Sequence, residues 1–340
     1  MYKRQPLYAT SANGWAMTIS SLIILSFTIR YFTYFSLNNS SNFFNLNEIN
    51  YLISLVILLI AFTYGKRNKI INFNVYFLGW NVELLLVEIT LLLIPSSLNI
   101  ATINIIFSFI TLILSYSLAS KFPRLSNLIS WHTLPLLYAI IGLIWRLELF
   151  NSYTGLLVIG ASITAIGVSI KRKEWKFITY FALAGITLGC YETTIYQLLQ
   201  KSGGSPADGL TILTFVTVAI ALFYRLFVFI WHLRGKTHFL NCNLQELILI
   251  AHFHWGLASI LQLITIALAL ATSPQLTYLS LIINFFFGAY AVIQARDNDI
   301  KSQSSQSDWW VYVGLVEIIA PFSYARVIFH NLQFLEPFQI

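Results

Sequence analysis

The sequence predicts an all-α polytopic membrane bundle, and three observations carry that reading. The 340 residues are 57% hydrophobic and only 10% charged, more apolar surface than a soluble core of this length hides. The apolar residues come in stretches of about 20, the length that crosses a bilayer as a helix. The basic residues, which give a formal net charge of +7, fall in short clusters between those stretches.

In a bilayer every backbone amide must be satisfied within its own segment, so each spanning stretch is expected to be a helix. About eleven such stretches follow one another. They run from Trp15 to Phe35, Ile49 to Tyr64, Asn74 to Ile94, Asn99 to Leu118, Leu125 to Trp145 and Ser152 to Ile170. The series continues with Phe177 to Leu199, Gly209 to Trp231, Glu246 to Ala271, Leu276 to Gln294 and Trp309 to His330. The first follows Lys3 and Arg4 as a signal peptide would, but it is long, contains Arg30 and lacks a small-residue cleavage site, so it reads as a retained helix. The early Met1, Lys3 and Arg4 make a natural start.

Lysine and arginine near membrane ends stay on the cytoplasmic side, which tests the count independently of hydropathy. Lys3 and Arg4, Lys66 to Lys69, Lys121 and Arg124, Lys171 to Lys176, Arg234 and Lys236, and Arg296 and Lys301 occupy every second connection. The alternate connections hold one basic residue between them, Lys201. The alternation predicts a cytoplasmic N-terminus and helices arranged as hairpins. Every connection is short, so residues 1–340 read as a single transmembrane domain with no room for a soluble catalytic one. Cys190 lies in an apolar stretch and Cys242 in a cytoplasmic turn, which predicts no disulfide between them.

Ionisable groups inside a bilayer are costly unless they face protein, water or a partner. The helices expected to run outward hold Arg30, Glu83, Glu88, Arg146, Glu148, Glu192, His252, His254, Glu317 and Arg326. The returning helices hold little beyond Arg225. The outward set is therefore expected inside the bundle and the returning set against lipid. Arg30, Arg146 and Arg326 share an outer depth with Glu88, Glu148 and Glu192, which predicts either an ion-pair network or an outward-opening polar cavity. Glu83 and Glu317 lie nearer the midplane without a basic partner at their depth, and are the first candidates for binding a proton or cation. Pro321, four residues after Glu317, is expected to kink the last helix. The candidate substrate or ion-binding set is thus Glu83, Glu317, Glu88, Glu192, Arg146 and Arg326.

His252 and His254 tempt a metal reading, but residues two apart on a helix point about 200° apart, so hydrogen bonding is expected instead. Glu192 and Tyr196 share a face. Gly160, Thr164 and Gly167, and again Gly185 and Gly189, form small-residue stripes where helices can approach closely. Trp309 and Trp310 read as interface anchors. No phosphate-binding loop, nucleophile elbow or zinc-protease motif occurs.

Tyr191 to Arg225 carries Tyr-Gln-Leu-Leu-Gln, then Ser-Gly-Gly-Ser-Pro-Ala-Asp-Gly, then Leu-Phe-Tyr-Arg-Leu. This stretch resembles a helix, outer loop and helix of uncharacterised multi-pass integral membrane proteins of cyanobacteria. The resemblance implies a bacterial inner (plasma) membrane or thylakoid membrane and nothing about mechanism. Read on its own residues, the turn needs no ligand, since Gly and Pro close tight connections and Asp208 can cap the next helix.

Three functions remain open. A transporter or flippase-like protein with a polar intramembrane site comes first. A noncatalytic scaffold, assembly factor or subunit of a larger membrane complex comes second. An integral membrane enzyme acting on a lipid-linked substrate comes third, weakened by the lack of a recognisable acid, base and nucleophile set. The expected partners are membrane lipid, a small-molecule, lipid or ion substrate, and partner membrane subunits. Neither nucleic acid nor a cofactor is expected.

Overall fold

Long runs of Leu, Ile, Val and Phe with few Gly or Pro breaks leave the backbone no partners but its own, and helices result. The computed structural model describes residues 5–37, 47–65, 71–121, 128–235, 238–272, 276–301, 309 and 311–319. The helices are α1 Gln5–Leu37, α2 Asn47–Gly65, α3 Asn72–Leu93, α4 Ser97–Lys121, α5 Ile129–Trp145 and α6 Thr154–Lys171. They continue with α7 Lys176–Gln200, α8 Pro206–Leu233, α9 Leu244–Ala271 and α10 Thr277–Lys301, and residues 311–319 are again helical. The described residues are therefore all-α but for an unexpected two-residue antiparallel pair, β1 His238–Phe239 and β2 Cys242–Asn243, joining α8 to α9. Leu240, at φ 55°, turns that hairpin.

Five of these segments are long and apolar enough to cross a membrane, namely Asn72–Leu93, Ser97–Ser117, Thr154–Lys171, Pro206–Leu233 and Leu244–Ala269. Shorter apolar runs lie at Thr18–Thr33, Ile49–Thr63, Ile129–Trp145 and Leu279–Ala295.

The chain divides into two compact units. The first holds residues up to Phe150 and Leu156–Ile186; the second holds Asn151–Gly155 and the residues from Thr187 onward. In the first unit, Ile24 and Phe27 of α1, Leu55 and Leu58 of α2, Leu84 and Val87 of α3, and Ile100, Ala101 and Ile105 of α4 form one core. Ala139 and Trp145 of α5 and Leu157 and Ala161 of α6 complete it. Lipid is as apolar as leucine, so close packing rather than water exclusion must hold these helices together. The stripe on α6 serves that purpose. A Cβ on Gly160 would lie 2.8 Å from Ile105, one on Gly167 would overlap Leu112, and Thr164 shares a 2.9 Å hydrogen bond with Ser108 of α4.

The expectation that returning helices only line the exterior needs correction. Side chains of α2 do face outward, Ile49, Ile53, Val56, Ile57 and Ile60 among them. But α4 buries Ile100, Ala101, Asn104, Ile105 and Ser108, and packs extensively on α5. In the second unit α8 likewise turns Thr211, Thr214 and Thr217 inward, and its most extensive partner is α9. Each hydroxyl donates to the carbonyl four residues back, at 2.7–2.8 Å, so a polar side chain can be buried without a partner on another helix. Val218, Ala258, Ile283 and Phe287 form the apolar centre between α8, α9 and α10.

The loop before α8 is built as the Gly-Gly-Ser-Pro-Ala-Asp-Gly turn implies, with one change of role. Ser205 is the N-cap, Pro206 opens the helix, and Asp208 closes a capping box back onto Ser205. Asn243 and Glu246 make the same box at the start of α9.

Candidate functional site

Each unit carries one of the two carboxyls singled out from the sequence. Glu83 lies in the first, on α3, with none of its surface exposed. Helix α3 is buried on several sides, holding Asn74, Asn81, Glu83 and Glu88 out of contact with the exterior. The Tyr31 hydroxyl of α1 donates to Glu83 Oε1 at 3.5 Å and itself accepts the Trp145 indole N–H. Tyr31 also meets the Trp145 and Trp80 rings edge to face, with centroids 5.3 and 5.8 Å away. Tyr138 of α5 donates to the Gly79 carbonyl at 2.7 Å. Among the described residues Glu83 Oε2, Asn104 Oδ1 and both amide atoms of Asn81 have no hydrogen-bond partner. Buried polar atoms left in that state are costly, and Asn104 is the neighbour placed to bond the Glu83 carboxyl.

Among the outer-depth charges, Arg30 and Glu88 meet. Arg30 Nε stands 3.3 Å from Glu88 Oε1, and its guanidinium covers the Tyr51 ring at 4.4 Å, as an ion-pair reading requires. Arg146 is the half-buried residue that ends α5, and Glu148 is exposed in the turn after it. Glu192 is half-buried on α7 and belongs to the second unit. Arg326 and Pro321 lie outside the described residues.

Glu317 belongs to the second unit, on the helical stretch 311–319. That stretch meets α10 through two glycines: a Cβ on Gly288 would overlap Ile318, and one on Gly314 would sit 3.1 Å from Ala291. Between α9, α10 and residues 309–317 lies a cavity of about 360 Å³. Its polar floor is Ser259, Gln262, Asn284 and Glu317; Trp255, Phe287, Trp309 and Tyr312 supply aromatic walls. Ser259 Oγ donates to Glu317 Oε1 at 2.6 Å, and Gln262 Nε2 donates to the Ser280 hydroxyl. Glu317 Oε2, Gln262 Oε1 and Asn284 Nδ2 are buried without a hydrogen-bond partner among the described residues.

Sequence reasoning weighed ionisable residues and so passed over Ser259, Gln262 and Asn284. A signal existed: Ser259 and Gln262 are three apart, hence on one face of an otherwise apolar α9. Trp309 is an exposed ring that also lines the cavity.

The histidines of α9 diverge as their spacing predicts. His254 Nδ1 shares a 2.8 Å hydrogen bond with the Tyr191 hydroxyl and its ring stacks on Tyr224, whereas His252 Nδ1 meets the Tyr290 hydroxyl at 3.0 Å. Among the described residues no group of three or more His, Cys, Asp and Glu is placed to hold a metal ion. Chemically, the two sites offer proton or cation binding and donor recognition. No family model matches the chain, and neither a curated protein nor a solved structure matches it.

Proposed function

We propose that this chain is a transporter or flippase-like membrane protein that crosses the bilayer about eleven times from a cytoplasmic N-terminus, and that the cavity beside Glu317 is its substrate site. The observation that carries the reading is a carboxyl with one oxygen committed to Ser259 and the other free, at the floor of an aromatic-walled recess. Pockets that bind small molecules combine apolar walls with a few convergent polar groups in just this way, and this one is at the small end of their range of about 300–1,000 Å³. The site lies between helices, where substrates of multi-pass transporters are held. Glu83, with its own free oxygen, serves in this reading as a second site for a proton or cation.

The alternation of basic connections supports the crossing count, and the likeness of Tyr191 to Arg225 to cyanobacterial multi-pass proteins supports a bacterial inner or thylakoid membrane. A scaffold reading draws on one observation, the Arg30–Glu88 pair and the Tyr31, Trp80 and Trp145 rings that lock the first unit.

Translocation is tested in proteoliposomes carrying fluorescent phospholipids and acyl amines in the inner leaflet. Faster exposure of the label to an external reductant than in empty liposomes, lost in Glu317→Gln, is the expected result. Exposure no faster than in empty liposomes across that panel, together with copurification of stoichiometric membrane subunits, would overturn the transporter reading in favour of the scaffold.

A further inference from the structure

We infer that the Glu317 cavity recognises an amphiphile whose headgroup is an ammonium that still bears N–H bonds, and whose hydrocarbon chain lies along the apolar wall. The inference rests on the substrate site proposed above and names the class of molecule it takes.

The unsatisfied atoms decide the headgroup. Among the described residues, Glu317 Oε2 and Gln262 Oε1 are buried acceptors without a hydrogen-bond partner. An acceptor in a water-poor recess is satisfied only by a donor. Glu317 Oε1 already receives the Ser259 hydroxyl, and neither the Asn284 amide nor the Trp255 indole reaches the two acceptors. Among the described residues no Lys or Arg lines the cavity to provide a donor. The rings of Trp255, Phe287, Trp309 and Tyr312 add the second element, since aromatic faces attract a cation that has been stripped of water. Carboxylate plus aromatic walls together specify a positive charge. A quaternary ammonium would satisfy the rings but leave both acceptors empty. A neutral alcohol would fill one acceptor and gain nothing from the rings. An ammonium with N–H bonds alone uses both. Asn284 Nδ2, a donor without a hydrogen-bond partner among the described residues, is left for an oxygen next to the amine, such as the hydroxyl or ester of an amino alcohol.

The walls decide the rest. Leu263, Ile266, Val313 and Val316 complete the recess without a polar atom on their side chains. Val316 and Tyr312 are themselves widely exposed on the surface of the second unit, so the cavity opens sideways along the helices rather than being sealed. A hydrocarbon chain attached to the amine therefore has an apolar exit.

The experiment uses the full chain in phosphatidylcholine nanodiscs and labelled dodecylamine, with dodecanol and dodecyltrimethylammonium as competitors of equal chain length. The expected result is saturable binding for which the two competitors are each about tenfold weaker than unlabelled dodecylamine. Glu317→Gln should weaken binding about tenfold, and Val316→Trp, which fills the cavity from an exposed position, should abolish it. Dodecanol competing as well as dodecylamine would overturn the inference, as would Val316→Trp binding within twofold of wild type. Should Glu317→Gln fail to fold, the competition order in the wild type and the Val316→Trp result decide alone. Amine binding with this order but no lipid movement in proteoliposomes would sink the transporter reading and leave the site standing; lipid movement without amine binding would do the reverse.

Discussion

Asp208 Oδ1 accepts the backbone amide of Leu276 at 2.8 Å, so one carboxylate at the start of α8 also ties down the residue that opens α10. Its other oxygen receives the Ser205 amide at 3.2 Å and the Ser205 hydroxyl at 2.8 Å. The Gly-Gly-Ser-Pro-Ala-Asp-Gly turn is thus a structural joint of the second unit. Asp208→Ala removes a helix cap and a charge-assisted bond at once, and should cost about 2–3 kcal/mol in a detergent unfolding titration. Asp208→Asn keeps an acceptor for Leu276 and should lose less than half as much. Equal losses for the two variants would show that charge rather than geometry matters at this joint.

Tyr31 joins Trp145 to Glu83, donating to one and accepting from the other. Tyr31→Phe leaves the rings in place but removes the buried hydrogen bonds to the Trp145 indole and to Glu83, so a loss of about 1–3 kcal/mol is expected. Trp145→Phe should be worth less on top of Tyr31→Phe than alone, with a coupling energy of about 1 kcal/mol in a double-mutant cycle. Strict additivity would mean the two rings stack without an operative hydrogen bond.

Two glycines on neighbouring helices should respond differently to alanine. A Cβ at Gly185 would overlap Ser162 Oγ, while the next atom, Ser162 Cβ, stands at an ordinary 3.4 Å. Gly185→Ala should therefore cost about 1 kcal/mol and be rescued by Ser162→Ala. A Cβ at Gly155 would overlap Thr193 Oγ1 and also approach the Gly189 carbonyl at 2.5 Å and the Thr193 amide at 2.9 Å. Backbone cannot rotate away as a side chain can. Gly155→Ala should cost about 3 kcal/mol and resist rescue by Thr193→Ala. Rescue in both pairs would mean that α7 shifts readily against α6.

What the sequence makes legible, and what it hides, follows from one physical fact: hydropathy separates membrane from water, but not lipid from protein. Each of the first ten apolar stretches gives a helix, and the α6 stripe of Gly160, Thr164 and Gly167 packs on α4, because length and small size are written in the residues themselves. The divergence of His252 and His254 is fixed by helix geometry alone. The inward face of α4 is not so written, since Ile100 and Ile105 are buried while Ile106 and Ile113 are exposed, with identical chemistry. Asn104, Ser259 and Gln262 were hidden for another reason. Uncharged residues cost little in a span, so nothing in a charge inventory marks them, although they are what surrounds Glu83 and Glu317.

The crossing count yields the last prediction. If basic connections stay in the cytoplasm, single cysteines at Lys69, Lys173 and Lys236 must all label from that side, and cysteines at Ser40, Ser97 and Gly203 only from the other. The native Cys190 and Cys242 are replaced first, which the absence of a disulfide between them permits. The turn between α6 and α7 gives the sharpest comparison, since Lys171, Arg172, Lys173 and Lys176 make it the most basic connection. The Lys171 ammonium lies over the Tyr116 ring at 4.4 Å and that of Lys176 over Tyr180 at 5.6 Å, so both charges rest on aromatic faces. Four of the described helices have apolar runs shorter than 18 residues, at Thr18–Thr33, Ile49–Thr63, Ile129–Trp145 and Leu279–Ala295, where a failed crossing would first be seen. Labelling Lys69 and Lys173 from opposite faces would require an odd number of crossings between them, and would remove one of the helices α3 to α6 from the membrane.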